Sequence, residues 1–192
     1  MSGSDPPQAN VVEGLTGILL VGGASRRFGS SKALARFGSE TLAERAWRLL
    51  GTVCDERIAV GKRTEAAGLP FPLLDDGTDT RAPLAGLVAG LRAAAGELIV
   101  ALPVDCPLLE ESDLRALAAA CADAAVPQTG PLPGAYRKSA LPVLERRLAG
   151  GQLAIRDALA ELDASVVRLD PARLANVNTP EELALLLCSA PG

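Results

Sequence analysis

The 192-residue chain contains no histidine. This excludes a hydroxyl or thiol nucleophile activated by an imidazole, and any metal site with histidine ligands. Catalysis by such a chain has to rest on carboxylates, lysine, arginine, backbone N–H groups or a hard cation. Aromatic residues make up only 3% of the sequence, against a hydrophobic content of 48%. The core is therefore expected to be built of alanine, leucine and valine, as in helices packed on a sheet. Positive charge is not in excess: the formal net charge is −4, which argues against a surface that coats nucleic acid. No apolar run approaches the roughly 20 residues needed to cross a bilayer, so no membrane partner is expected. The four cysteines, Cys54, Cys106, Cys121 and Cys188, show no CxxC spacing. They read as reduced thiols of a cytoplasmic protein. Residues 1–14 are polar, carry Pro6-Pro7 and lack a basic leader region. They read as a disordered tail ahead of one domain over 15–192.

What the chain does have is a glycine-rich turn after an aliphatic run, from Gly17 to Lys32. Ile18–Val21 is short and uncharged, as in a strand buried on both faces of a parallel sheet. Gly22 and Gly23 permit a sharp bend and a close approach of backbone to ligand. Arg26, Arg27 and Lys32 add positive charge around a loop rich in N–H donors, which suits phosphate. Spacing rules out two familiar loops. Gly29-Ser30-Ser31-Lys32 interposes two residues where a Walker A loop has none, and no Ser or Thr follows the lysine. Gly22-Gly23 followed by two arginines does not match a dinucleotide fingerprint.

Strand and helix patterns alternate along the rest of the chain. Helices are expected over Thr41–Leu50, Pro83–Ala95, Asp113–Cys121 with Ser112 as its cap, Ser139–Leu148, Leu153–Leu162, and after Thr179-Pro180. Strands are expected over Arg57–Gly61, Pro72–Asp75, Glu97–Leu102 and Ser165–Leu169, with two short extended pieces in 124–138. The βαβαβ order predicts an α/β fold, a three-layer α/β/α sandwich with a mostly parallel sheet. Ligands of such sheets bind at the carboxyl ends of the strands. The glycine loop, Asp75 and Asp76, Asp105, and Asn176 and Asn178 all follow expected strands, and so can meet on one edge.

Asp105 lies in Leu102-Pro-Val-Asp-Cys-Pro107, a turn stiffened by two prolines. One carboxylate together with phosphate oxygens and waters is the usual way to hold Mg²⁺; binding turn N–H groups is its other use. Asp75-Asp76-Gly77 reads either as a charged turn or as a ligand contact. Alternation puts the side chains of Asn176 and Asn178 on one face of an extended segment, though Asn178 or Thr179 could equally cap the last helix.

Leu20-Val21-Gly22-Gly23-Ala24-Ser25-Arg26-Arg27-Phe28-Gly29-Ser30-Ser31-Lys32 resembles the nucleotide loop of the molybdenum cofactor guanylyltransferases, within the wider nucleotidyltransferase-like superfamily. The family's acid before the loop lysine is Ser31 here, its methionine is Phe28, and an alanine is Val21. Asp75 or Asp76 followed by Ala82-Pro-Leu-Ala-Gly86, the Asp105 turn and Asn176-Val-Asn-Thr-Pro180 extend the resemblance from Gly17 to about Leu187. Ala82 stands where the family has glycine.

The resemblance implies a Rossmann-like nucleotidyltransferase fold of the GT-A type and transfer of GMP from GTP to Mo-molybdopterin with release of pyrophosphate. It implies nucleotide contacts from the backbone of Leu20, Val21, Gly22 and Gly23 and from Lys32, Asp75 or Asp76, and Asp105. It further implies charge neutralisation by Lys32 and Arg27, Mg²⁺ on Asp105, and the pterin substrate near Asn176 and Asn178. Tyr136-Arg137-Lys138 is similar to a further family segment and is a candidate contact for an anionic substrate. Proteins that load molybdopterin or mature molybdoenzymes are implied as transient partners. Open alternatives are a cytidylyl or sugar-1-phosphate nucleotidyltransferase, and a non-catalytic GTP-binding partner in cofactor insertion.

Overall fold

The structure, a computed structural model, describes residues 14–22 and 31–189. Its centre is a seven-stranded sheet. Strands β1 (Leu15–Leu20), β4 (Glu56–Gly61), β5 (Leu73–Asp75) and β6 (Leu98–Pro103) run parallel in the order β5-β4-β1-β6. Beyond β6 the order continues β8 (Gly134–Arg137), β7 (Ala124–Pro127), β9 (Ala164–Val167). β8 pairs antiparallel with both its neighbours, whereas β7 and β9 are parallel to each other. A two-stranded hairpin, β2 (Arg36–Phe37) and β3 (Glu40–Thr41), stands apart from this sheet.

The central strands alternate between two cores. Leu15 and Leu19 of β1 and Val100 and Leu102 of β6 face α1 (Leu42–Leu50) and α3 (Glu111–Ala119). Ile18 of β1 and Ile99 and Ala101 of β6 face α2 (Pro83–Ala93), α4 (Leu141–Ala149) and α5 (Ile155–Leu159). Each face of the sheet is thus covered by helices, which gives the three layers expected from the βαβαβ order. A third, smaller cluster joins Phe37 of the hairpin, Leu42, Val177 and Leu183 of the last helix, α6 (Pro180–Ser189). It anchors the Asn176–Asn178 segment to the body of the protein.

Local signals explain most of the element ends. Thr41 caps α1: its hydroxyl accepts from the Glu44 N–H, and the Glu44 carboxylate accepts from the Thr41 N–H. Thr179 caps α6 in the same way with Glu182. Ser112 does not cap α3. The cap is Glu110, whose N–H donates to Asp113 Oδ2 at 3.0 Å, and the helix starts two residues earlier than the serine suggests. Buried Asp113 is also 3.3 Å from Arg173, so a carboxylate with two partners displaces a lone hydroxyl from the cap position.

Candidate active site

Four parallel strands bring their carboxyl ends to one edge of the sheet. β1 runs out into Val21 and Gly22, β4 into Lys62, β5 ends on Asp75, and β6 leads to Asp105. The Val21 N–H donates to Val60 O, which keeps the chain beside β4 past the end of β1. At Gly22 the backbone turns with φ of +136°, a conformation side chains disfavour. A Cβ there would also lie 2.6 Å from a Glu65 carboxylate oxygen. Gly61 faces the same spot: its Cβ would meet Val21 O at 2.1 Å. Both glycines are therefore required for the close approach of β1 and β4 under the loop. Gly23 and Arg27, two of the expected ligand contacts, lie outside the described residues, as does Arg26.

Lys32 opens a short 3₁₀ turn over Lys32–Leu34 and reaches across the edge. Its Nζ donates to Asp105 Oδ2 at 2.9 Å and to Asn178 Oδ1 at 3.3 Å. The side chains of Lys32 and Asp105 keep 13% and 26% of their exposure, so the pair is accessible from the edge without lying open to bulk water. Three motifs separated by up to 146 positions in the chain meet here. The Asn176–Asn178 segment is fastened to the Asp105 turn by Val177 N–H, which donates to Asp105 O at 2.9 Å. Cys106 adds a second tie, its Sγ 2.9 Å from Asn176 Oδ1. Burial pushes the Cys106 thiol far above its ordinary range, with the Asp105 charge adding to the effect, so it is present as S–H.

The adjacent acids Asp75 and Asp76 have separate roles. Asp76 is nearly buried, its side chain 6% exposed, and forms an ion pair of 2.6 Å with Lys62. Lys62 also donates to Thr78 O, and Thr78 N–H donates back to Asp76 Oδ1. Asp76 is thereby committed to holding its own loop. The Asp75 carboxylate instead accepts the N–H groups of Gly77 and Arg63, both at 2.9 Å, and these hold its pKa below the usual carboxylate range. Asp75 lines an open cavity of about 590 Å³ that also involves Lys62, Arg63, Thr78 and Arg81. Neither Lys32 nor Asp105 lines this cavity. β5, which ends on Asp75, and β6, which leads into the Asp105 turn, are three positions apart in the sheet, about 14 Å at the usual strand spacing. The two groups share an edge without touching.

Tyr136-Arg137-Lys138 does not reach this edge. Antiparallel pairing sets Arg137 opposite Leu98, at the start of β6, and Lys138 N–H donates to Glu97 O. Tyr136 is fully buried. The segment therefore lies at the opposite end of the strands, and the expected contact with an anionic substrate is not made there. Lys62 and Cys106 were not singled out from sequence. A lysine ending a strand and a cysteine without CxxC spacing carry no pattern by themselves.

Residues 17–166 match the MobA-like NTP transferase domain. The chain belongs to this family. Among relatives, it is 30% identical to the molybdenum cofactor guanylyltransferase of Desulfosudis oleivorans, over 90% of this chain and 94% of that one. It is 33% identical to the molybdenum cofactor guanylyltransferase of Pseudomonas putida, over 86% and 94%. In fold it is similar to the crystal structure of molybdopterin-guanine dinucleotide biosynthesis protein A from Archaeoglobus fulgidus. That match has a TM-score of 0.77 and 24% identity, over 91% of this chain and 98% of the other. Membership of the MobA-like NTP transferases makes the protein a nucleotidyltransferase and accounts for the mostly parallel, helix-flanked sheet. Among the described residues no helix is long and apolar enough to cross a membrane.

Proposed function

We propose that the protein is a molybdenum cofactor guanylyltransferase, moving GMP from GTP to Mo-molybdopterin and releasing pyrophosphate. The single observation that carries the reading is the meeting of Lys32, Asp105 and Asn178 at the carboxyl edge of the sheet. The names of the relatives in Desulfosudis and Pseudomonas support the choice of base and acceptor.

In this reading a phosphate oxygen of the pterin attacks the α-phosphorus of GTP as the bond to the β-phosphate oxygen breaks. An ionised phosphate needs no strong base, which fits a chain without histidine. The work left to the protein is positioning and neutralising charge. Beyond Leu20 and Val21, whose backbone stays in the sheet with the Val21 N–H bonded to Val60 O, the backbone N–H groups of Gly22 and Gly23 bind nucleotide, and Asp75 contacts it from the end of β5. Lys32, with Arg27, offsets charge on the α-phosphate and the departing pyrophosphate. Asn176 and Asn178 face the pterin substrate.

A divalent ion, Mg²⁺ in this proposal, fits the donors present. No group of three or more potential ligands occurs among the described residues. A single carboxylate is what Mg²⁺ requires when phosphates and water supply its other oxygens. Asp105 is that carboxylate, and the bound ion would supply further neutralisation of phosphate charge. The reading also includes one domain over 15–192, a cytoplasmic location supported by four free cysteines, and transient contact with molybdoenzyme-maturation proteins.

The test is pyrophosphate release with Mo-molybdopterin as acceptor, across GTP, CTP, UTP and ATP. Release with GTP alone is expected. Preference for CTP would indicate a cytidylyltransferase, and tight GTP binding without turnover would indicate a binding partner.

A further inference from the structure

A carboxylate stands directly against the glycine turn, where phosphate binding alone has no use for one. Glu65 closes a single 3₁₀ turn, Arg63–Glu65, that follows β4. Its Oε2 accepts the Lys62 N–H at 3.0 Å, which fixes the side chain against the end of the strand. From there Oε2 lies 2.6 Å from the point a Gly22 Cβ would occupy, and 3.0 Å from that of Gly61. The bare backbone of the two glycines thus makes room for this acid. Oε1 lies 3.1 Å from the same Gly22 point and, among the described residues, accepts no hydrogen bond. Its ion contact is with Arg81 at 3.9 Å, and the Arg81 side chain is 72% exposed. Arg63, Thr64 and Arg81 line the cavity that Asp75 faces, so Glu65 stands where that cavity meets the glycine turn.

We propose that Glu65 reads the nucleobase: its carboxylate accepts the N1–H and the N2 amino group of guanine, and so selects GTP. The proposal rests on the transferase reading above and adds the side chain that sets its base. Like charge keeps phosphates away from Glu65, whereas the Lys32 ammonium on the β6 side attracts them. β4 and β6 are two positions apart in the sheet with β1 between them, about 10 Å at the usual strand spacing. A nucleotide lying along this edge therefore directs its triphosphate toward Lys32 and its base toward Glu65. A carboxylate only accepts hydrogen bonds, and its two oxygens suit two donors side by side. Oε2 keeps a lone pair for this after binding the Lys62 N–H. Among the four bases guanine alone offers such a pair, a ring N–H next to an amino group. Adenine and cytosine set their amino group beside a ring nitrogen that only accepts. The ring N–H of uracil lies between two carbonyl oxygens, which a carboxylate repels.

The experiment is calorimetric binding to the whole protein, with Mg²⁺ and without acceptor, of GTP and of ITP, which lacks only the N2 amino group. Wild-type protein is expected to bind GTP about tenfold more tightly than ITP, the size of one hydrogen bond to a charged group. Glu65→Gln keeps an oxygen for the Lys62 N–H but sets an amide NH₂ against the guanine donors. In that variant GTP affinity is expected to fall by about tenfold, and the GTP-to-ITP ratio to approach one. Equal affinities in the wild type overturn the proposal and leave the transferase reading standing. So does a ratio that survives in Glu65→Gln, because mere loosening of the turn weakens both nucleotides alike. A preference for GTP with no pyrophosphate release in the transfer assay overturns the transferase reading while the base contact stands. Wild-type protein that binds neither nucleotide overturns both.

Discussion

At the scale of single residues, the site separates groups that look alike in the sequence. Asp75 and Asp76 are adjacent acids with no pattern to tell them apart, and only the fold shows that Asp76 is spent on Lys62 while Asp75 faces the cavity. Substitution should divide them. Asp76→Asn leaves the Lys62 ammonium buried without its counter-charge, and melting is expected to show a loss of about 3–5 kcal/mol. Asp75→Asn is expected to leave the melting curve nearly unchanged and to raise the GTP KM. The pH sense follows from the N–H groups of Gly77 and Arg63, which depress the folded pKa of Asp75. Its contribution is complete above the unfolded carboxyl value of about 4 and is lost only as pH falls through the lower folded one. The ratio of GTP KM between Asp75→Asn and wild type should therefore be the same at pH 5.5 and pH 8. A ratio that collapses toward one by pH 5.5 would contradict this assignment.

The side chains of Lys32 and Asp105 are mostly buried, so the attraction within the pair is largely offset by the cost of taking both charges out of water, and its net contribution to stability is small. Their value lies in charge placed where the reaction needs it. Lys32→Met and Asp105→Asn are each expected to lower kcat by roughly a hundred- to thousand-fold in protein that circular dichroism shows to be folded. A variant retaining more than about a third of wild-type kcat would remove that residue from the reaction.

At the scale of elements, patterning revealed the strands and helices whose periodicity is long enough to see. α1 shows both the apolar spacing of Leu42, Ala46 and Leu50 and the Thr41/Glu44 box that starts it. Thr41→Ala is expected to cost about 1 kcal/mol of stability, measured by denaturant unfolding. The hairpin β2–β3 was not legible, because strands of two residues have no period. The start of α3 was misplaced for a different reason. Ser112 is a good local cap, but Asp113 is buried against Arg173, and that distant partner fixes the turn at Glu110 instead. The direction of β8 was likewise hidden. Nothing in Gly134–Arg137 says that it runs against β6, and that direction is what carries Tyr136–Lys138 away from the site.

At the scale of the whole molecule, the sheet order explains why the site was legible at all. Parallel strands joined by helices must put their carboxyl ends on one side, so residues following separate strands share an edge whatever their distance in the chain. Lys32, Asp105 and Asn178 were readable as candidates for that reason. The link between Cys106 and Asn176 was not, since it depends on how closely the α6 segment is drawn to the β6 turn. The same packing predicts the thiol chemistry of the folded protein. Cys188 is exposed, Cys106 and Cys121 are buried, and burial pushes the Cys54 thiol up to about 12. Alkylation at pH 8 is expected to modify Cys188 first and to reach the other three only on unfolding, as followed by peptide mass mapping.

The account as a whole requires that one edge of the sheet transfers a nucleotidyl group. The direct measurement is the fate of a label on the α-phosphate of GTP in the presence of Mo-molybdopterin. The label is expected on the pterin product and absent from pyrophosphate, with transfer lost in both Lys32→Met and Asp105→Asn. Label that never reaches the acceptor, or that reaches it equally well without Lys32 and Asp105, would contradict the account.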